Sequence, residues 1–112
     1  MPISTQKVRD ISIVIVDYER ATIIVAEEFR SNVQSEIASG TKKFIFDLSK
    51  CNFIDSTFLS ALIVSFKRIA ETNGELRIFG LKPAVQAMFQ LTRLTKIFSI
   101  FNDEQEALNS LR

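Results

Sequence analysis

The sequence predicts an α/β fold: a mixed, mostly parallel β-sheet of four to five strands with about four α-helices, over residues 1–112 as a single domain. Three observations carry the expectation. Short runs rich in β-branched residues alternate along the chain with segments of helical period, the order from which parallel sheets with right-handed crossovers are built. Only three glycines and two prolines occur in 112 residues, so no linker interrupts the alternation. The hydrophobic fraction is 46%, enough for one core in a chain of 12.7 kDa.

The elements follow in order. Ile3 to Val8 reads as a weak edge strand, and Ile11, Ile13, Val14, Ile15 and Val16 as a strand buried on both faces, where strict alternation is not needed. Ala26, Phe29, Val33 and Ile37 recur at helical spacing with charged residues between them, and the pattern stops near Ser39-Gly40. Lys43 to Leu48 is a short central strand that ends on Asp47. Phe58 or Leu59, Leu62, Ile63, Phe66 and Ile69 form the clearest helical stripe, closed by Asn73-Gly74 with the glycine expected in the left-handed cap. Glu75 to Leu81 is a strand. Pro83 opens a further helix, whose inner face is Val85, Met88, Phe89 and Thr92. Ile97 to Phe101 is extended, and Asp103-Glu104 start a short closing helix.

Composition excludes several function classes. Histidine is absent, which removes Ser-His-Asp and Cys-His nucleophile systems and most zinc and haem sites, so the chain is expected to be no enzyme and to hold no cofactor or metal. Cys51 is the single cysteine and cannot form an internal disulfide. Fourteen basic against thirteen acidic residues leave a net charge of +1, and the basic pairs Lys42-Lys43 and Lys67-Arg68 are too scattered for a nucleic-acid footprint. The apolar stretches at 11–16 and 58–66 fall well short of the ~20 residues that span a bilayer. With no secretory pattern at the N-terminus, a cytoplasmic protein without direct membrane insertion is expected.

Function is therefore sought where a strand end feeds a helix. The informative stretch is Ser49-Lys50-Cys51-Asn52-Phe53-Ile54-Asp55-Ser56-Thr57-Phe58-Leu59. Phe53 and Ile54 are placed to anchor the connection, and Ser56 is a natural N-cap whose hydroxyl accepts from a first-turn amide. A structural cap of ~1 kcal/mol is its plainest role. A hydroxyl at a helix N-terminus can also carry a phosphate with little damage to the fold, and Asp55 beside it would make the spot strongly anionic.

These residues, with Asp47-Leu48-Ser49 before them and Gly74-Glu75-Leu76-Arg77-Ile78, Leu81-Lys82-Pro83-Ala84-Val85 and Leu91-Thr92-Arg93-Leu94 after them, are similar to the STAS domain family, bacterial anti-sigma factor antagonists in particular. The resemblance runs from Lys43 to Leu111. It implies a cytoplasmic binding module in which an anti-sigma factor that is also a serine kinase phosphorylates Ser56, with Thr57 as the alternative acceptor, and a serine phosphatase reverses the step. Asn52, Asp55, Ser56, Thr57 and Phe58 would form the partner-binding surface of a monomer or weak dimer. This chain departs from the family in having Phe58 and Ser60 where small residues, usually glycine, are common, so that a bulky Phe58 either packs inward, the favoured role, or presents an apolar contact to a partner, and in lacking the family's aspartate near Glu19-Arg20-Ala21-Thr22. A second implied role is a non-switching subunit that scaffolds a lipid-transport ATPase or a stress-signalling assembly.

Two other sets of residues have plainer readings. Asp17, Glu19 and Asp47 resemble the acidic cluster of a receiver domain, but only about thirty residues separate the strand ends and later receiver signals are missing, so they read as solvated strand ends. Cys51 beside Lys50 lacks a second cysteine or a histidine, and reads as an ordinary loop or buried thiol.

Overall fold

The computed structural model describes residues 3–112. Strands β1 (Ile3–Val8), β2 (Ile11–Val16), β4 (Lys43–Asp47), β6 (Glu75–Phe79) and β7 (Ser99–Phe101) form one sheet in the order β1-β2-β4-β6-β7; β3 (Arg20–Ala21) and β5 (Phe53–Ile54) form a separate two-stranded ladder. Only β1 and β2 are antiparallel; the other pairs are parallel. Four helices, α1 (Ile23–Ala38), α2 (Ser56–Glu71), α3 (Pro83–Leu91) and α4 (Glu104–Asn109), alternate with the strands, and a 3-10 turn at Leu94–Lys96 leads into β7.

Strand alternation sorts the core into two layers. Val14 and Val16 of β2, Phe44 and Phe46 of β4, and Leu76 and Ile78 of β6 face the larger layer, filled by α1, α2 and α3. Ile11, Ile13, Ile45 and Phe79 face the opposite layer, where Ala107, Leu108 and Leu111 at the C-terminus cover them. β2 is thus buried on both faces, as its unbroken apolar run requires. Phe29 of α1 joins helix to sheet to helix: its ring lies edge-on to Phe46 at 4.8 Å and tilted against Phe58 of α2 at 5.2 Å.

Ser12 is the polar break in β2, fully buried, and its hydroxyl donates to Glu36 Oε1 at 2.7 Å. Lys7 Nζ reaches the same carboxylate at 2.8 Å and also donates to Ser12 and Thr41. Burial alone would raise the Glu36 carboxyl, but hydrogen bonds from Lys7, Ser12 and Thr41 and the charge of Lys7 outweigh it and hold the group below its ordinary value. The network ties the end of α1 to β1 and β2.

Two helix ends differ from expectation. Asn73 takes the left-handed conformation at φ 61°, and Gly74 is required for a different reason: a Cβ there would lie 2.7 Å from the Lys42 carbonyl oxygen and 2.8 Å from Ile69 Cγ2. Thr92 does not face inward; its hydroxyl turns back to the Met88 carbonyl at 2.7 Å, and α3 buries only Val85 and Phe89.

Replacing Glu36 by Gln is expected to lower stability at pH 7 by about 1–2 kcal/mol. A carboxyl whose folded pKa lies below its ordinary 4.5 stabilises fully above that value and loses the contribution as pH falls through the folded pKa. Denaturant titrations of the two proteins should therefore converge as pH falls from 4.5 through the lower folded-state value.

Candidate functional site

The strand-to-helix connection after β4 begins with a tight turn. Asp47 closes β4, mostly buried, and its Oδ1 accepts from the Ser49 amide at 2.9 Å and the Ser49 hydroxyl at 2.6 Å. It is therefore no solvated strand end, whereas Asp17 and Glu19 are exposed. Gly80, at φ 82° just beyond β6, lies against this turn so closely that a Cβ on it would stand 2.7 Å from Ser49 Cβ. Among the described residues no group of three or more Asp, Glu or Cys converges in a way that would hold a metal ion. Cys51 is buried, with burial and the charge of Asp47 pushing its thiol up to about 11.

The chain then pairs with the segment leading into α1. The amides of Asn52 and Phe53 both donate to the Glu19 carbonyl at 2.8 and 3.2 Å, and Asn52 Nδ2 donates to the Glu19 carboxylate at 2.9 Å. Arg20 pairs with Phe53 and Ala21 with Ile54 in parallel register. Ala21 and Ile54 point into the core; Arg20 and Phe53 stand outside, with the guanidinium 4.4 Å from the ring centroid. One more bond, from the Asp55 amide to the Ala21 carbonyl at 3.1 Å, brings the starts of α1 and α2 side by side.

The residue that caps α2 is Asp55, where Ser56 had been expected. Asp55 is extended, and its Oδ1 accepts from the Phe58 amide at 2.9 Å, satisfying a first-turn donor. Ser56 is the first helical residue, and it is exposed; Thr57 is half-buried and Asn52 exposed. Phe58, expected among the partner-contacting residues, is 0% exposed and packs on Phe29, so its part is to hold the helix start to the core. The bulk of Phe58 thus points inward, the first of the two roles open to it.

Sequence reasoning passed over Ile23 and Ile24. They open α1 at 64% and 77% exposure, beside a cap residue, Thr22, that makes no side-chain cap hydrogen bond. Their signal was legible as two apolar residues ahead of the helical stripe, off its face. Because Ala21 neighbours Ile54, these isoleucines and Ser56 start adjacent helices. The arrangement offers an apolar contact, an accessible hydroxyl and a capping carboxylate on one rim of the molecule. It can receive a partner and a modification; the buried thiol is not placed for chemistry.

A family model described as STAS domain matches residues 3–107. An anti-sigma-B factor antagonist of Listeria monocytogenes is 35% identical over 60 residues, 54% of this chain and 53% of that protein. A crystal structure of a Thermotoga maritima protein superimposes with a TM-score of 0.86 at 25% identity, covering 96% of this chain and 92% of that one. SpoIIAA, solved unphosphorylated and, as a Bacillus cell fate determinant, phosphorylated, shares the fold in both forms at a TM-score of 0.77 and 15% and 16% identity, over 98% of this chain and 97% and 99% of those chains.

Asp55→Ala should cost about 1 kcal/mol through the lost cap, while Ser56→Ala should leave stability within about 0.5 kcal/mol of the parent, since its hydroxyl is not the cap. Paired chemical denaturation curves read the contrast, and equal losses would contradict the capping assignment. Gly80→Ala should cost about 2–4 kcal/mol, combining left-handed backbone strain with the clash at Ser49; a thermal melt within two or three degrees of the parent would show that the turn yields.

Proposed function

We propose, for a chain that belongs to the STAS domain family, the role of an anti-sigma factor antagonist switched by phosphorylation at Ser56. Unmodified, it binds an anti-sigma factor that is also a serine kinase; phosphorylated, it is released, and a serine phosphatase resets it. The supporting observation is the placement of Ser56: exposed, unused as a cap, on the same rim as Ile23 and Ile24.

The chemistry asks little of this chain. The Ser56 Oγ takes the γ-phosphoryl group of ATP, ADP leaves, and the hydroxyl proton passes to the kinase or to water. Catalysis and nucleotide binding belong to the kinase, and the chain serves as substrate and ligand. Its contribution is positional. The first turn of α2 holds the hydroxyl outward, while Phe58 and Ile54 fix the turn from beneath.

Release follows from electrostatics at a contact. A phosphate brings about −1.5 to −2 charges next to Asp55. A hundredfold loss of affinity needs ~2.7 kcal/mol, within what one unmatched charge costs when a partner surface must desolvate it. Ile23 and Ile24 would supply the apolar part of the contact, which the phosphate does not touch. The reading places the protein in the cytoplasm, as a monomer or weak dimer, with Asn52, Asp55 and Thr57 around the acceptor.

Incubation with the cognate serine kinase and ATP should add a single phosphoryl group to the parent chain by intact mass and none to Ser56→Ala. Ser56→Asp should weaken the kinase complex. Phosphate mapped only to Thr57 or elsewhere would overturn the assignment of Ser56.

A further inference from the structure

Arg20 stands out among the residues around Ser56. Its guanidinium is held over the outer face of Phe53 at 4.4 Å, and among the described residues no carboxylate is ion-paired with it. A guanidinium stacked on a ring keeps its N–H groups in its own plane, so their edge is free for a bidentate anion. We propose that Arg20, lodged on Phe53, is the residue of this chain that pairs with the phosphate carried by Ser56. The inference rests on the phosphorylation reading above and adds to it where the phosphate goes.

The ladder sets the distance. Arg20 lies directly opposite Phe53, and Ser56 follows three residues later. Parallel strands stand about 4.8 Å apart and rise about 3.3 Å per residue, which puts the two Cα atoms within roughly 11 Å. An extended arginine and a phosphorylated serine reaching toward each other span that gap. Arg20 faces outward, because Ala21 and Ile54 are the residues of the ladder that turn into the core, and Ser56 is exposed at the first turn of α2. The surrounding charges are mixed: Asp55 and Glu19 carry carboxylates that oppose a phosphate, and Lys50 is a second cation in the same connection.

Pairing would give the modified state a defined surface. The phosphate would lie along the β3–β5 ladder, over the edge of the arginine, so a docking partner would lose Arg20 as well as meet an anion. One covalent event would thereby alter two features of the rim.

The test uses the full chain with phosphoserine installed at position 56 during translation, and follows the second ionisation of the phosphate by 31P NMR. With Arg20 present the phosphate should titrate about half a unit or more below its value in Arg20→Gln, because the cation favours the dianion. Lys50→Gln, which removes the same charge nearby, should leave the titration within a tenth or two of the parent. Equal titrations for the parent and Arg20→Gln, or equal shifts from Arg20→Gln and Lys50→Gln, would overturn the pairing. Should Arg20→Gln loosen the ladder, Arg20→Met keeps the aliphatic packing on Phe53 and answers the same question. The phosphate is built in, so the titration does not depend on a kinase. Failure of enzymatic labelling would sink the switch and leave the pairing to this measurement, whereas equal titrations with labelling intact would sink the pairing alone.

Discussion

The arrangement of this molecule around the start of α2 depends on a very small piece of backbone pairing. Arg20-Ala21 and Phe53-Ile54 make a ladder of two residues, extended by the Asn52, Phe53 and Asp55 amides onto the carbonyls of Glu19 and Ala21. Without it, the connections before α1 and α2 would be independent loops, each with its own conformational entropy. With it, two helix starts are fixed in register, Asp55 is set extended for capping, and Ala21 and Ile54 nail both segments into the core. The site is therefore built on paired backbone, although both contributing segments lie outside the main sheet.

The aromatic packing beneath gives that rim its rigidity. Phe29 touches Phe46 of the central strand and Phe58 at the opening of α2, so one helix transmits the position of the sheet to the start of the next. The Lys7, Ser12, Glu36 and Thr41 network performs the corresponding task at the far end of α1, with charge-assisted hydrogen bonds in place of rings. α1 is held at one end by apolar contact and at the other by polar contact.

Much of this was legible in the sequence. The β-branched run of β2, the stripe of α2, Pro83 opening α3 and Asp103 capping α4 by accepting from the Glu106 amide each carry a local signal that the tertiary structure keeps. The short ladder was not legible, since two-residue strands have no periodicity to detect. Nor was the true start of α1, because Ile23 and Ile24 are apolar on the outside and break the amphipathic pattern that marks a helix. Asp55 and Ser56 are both good capping residues and adjacent; the bond from Asp55 to Ala21 decides between them, and it is a contact between residues 34 positions apart. Asn73 and Gly74 pose the same ambiguity, resolved by how closely the Lys42 carbonyl approaches.

Because a carboxylate takes the capping duty, the neighbouring hydroxyl owes nothing to folding. The cap bond at this helix start does not pass through Ser56, so a change at that hydroxyl leaves the bond from the Phe58 amide to Asp55 in place. Under the proposed switch, a cell reading the two forms would count covalent marks instead of surviving molecules. Had the serine itself closed the helix, any modification of it would have broken the cap that holds the start of α2.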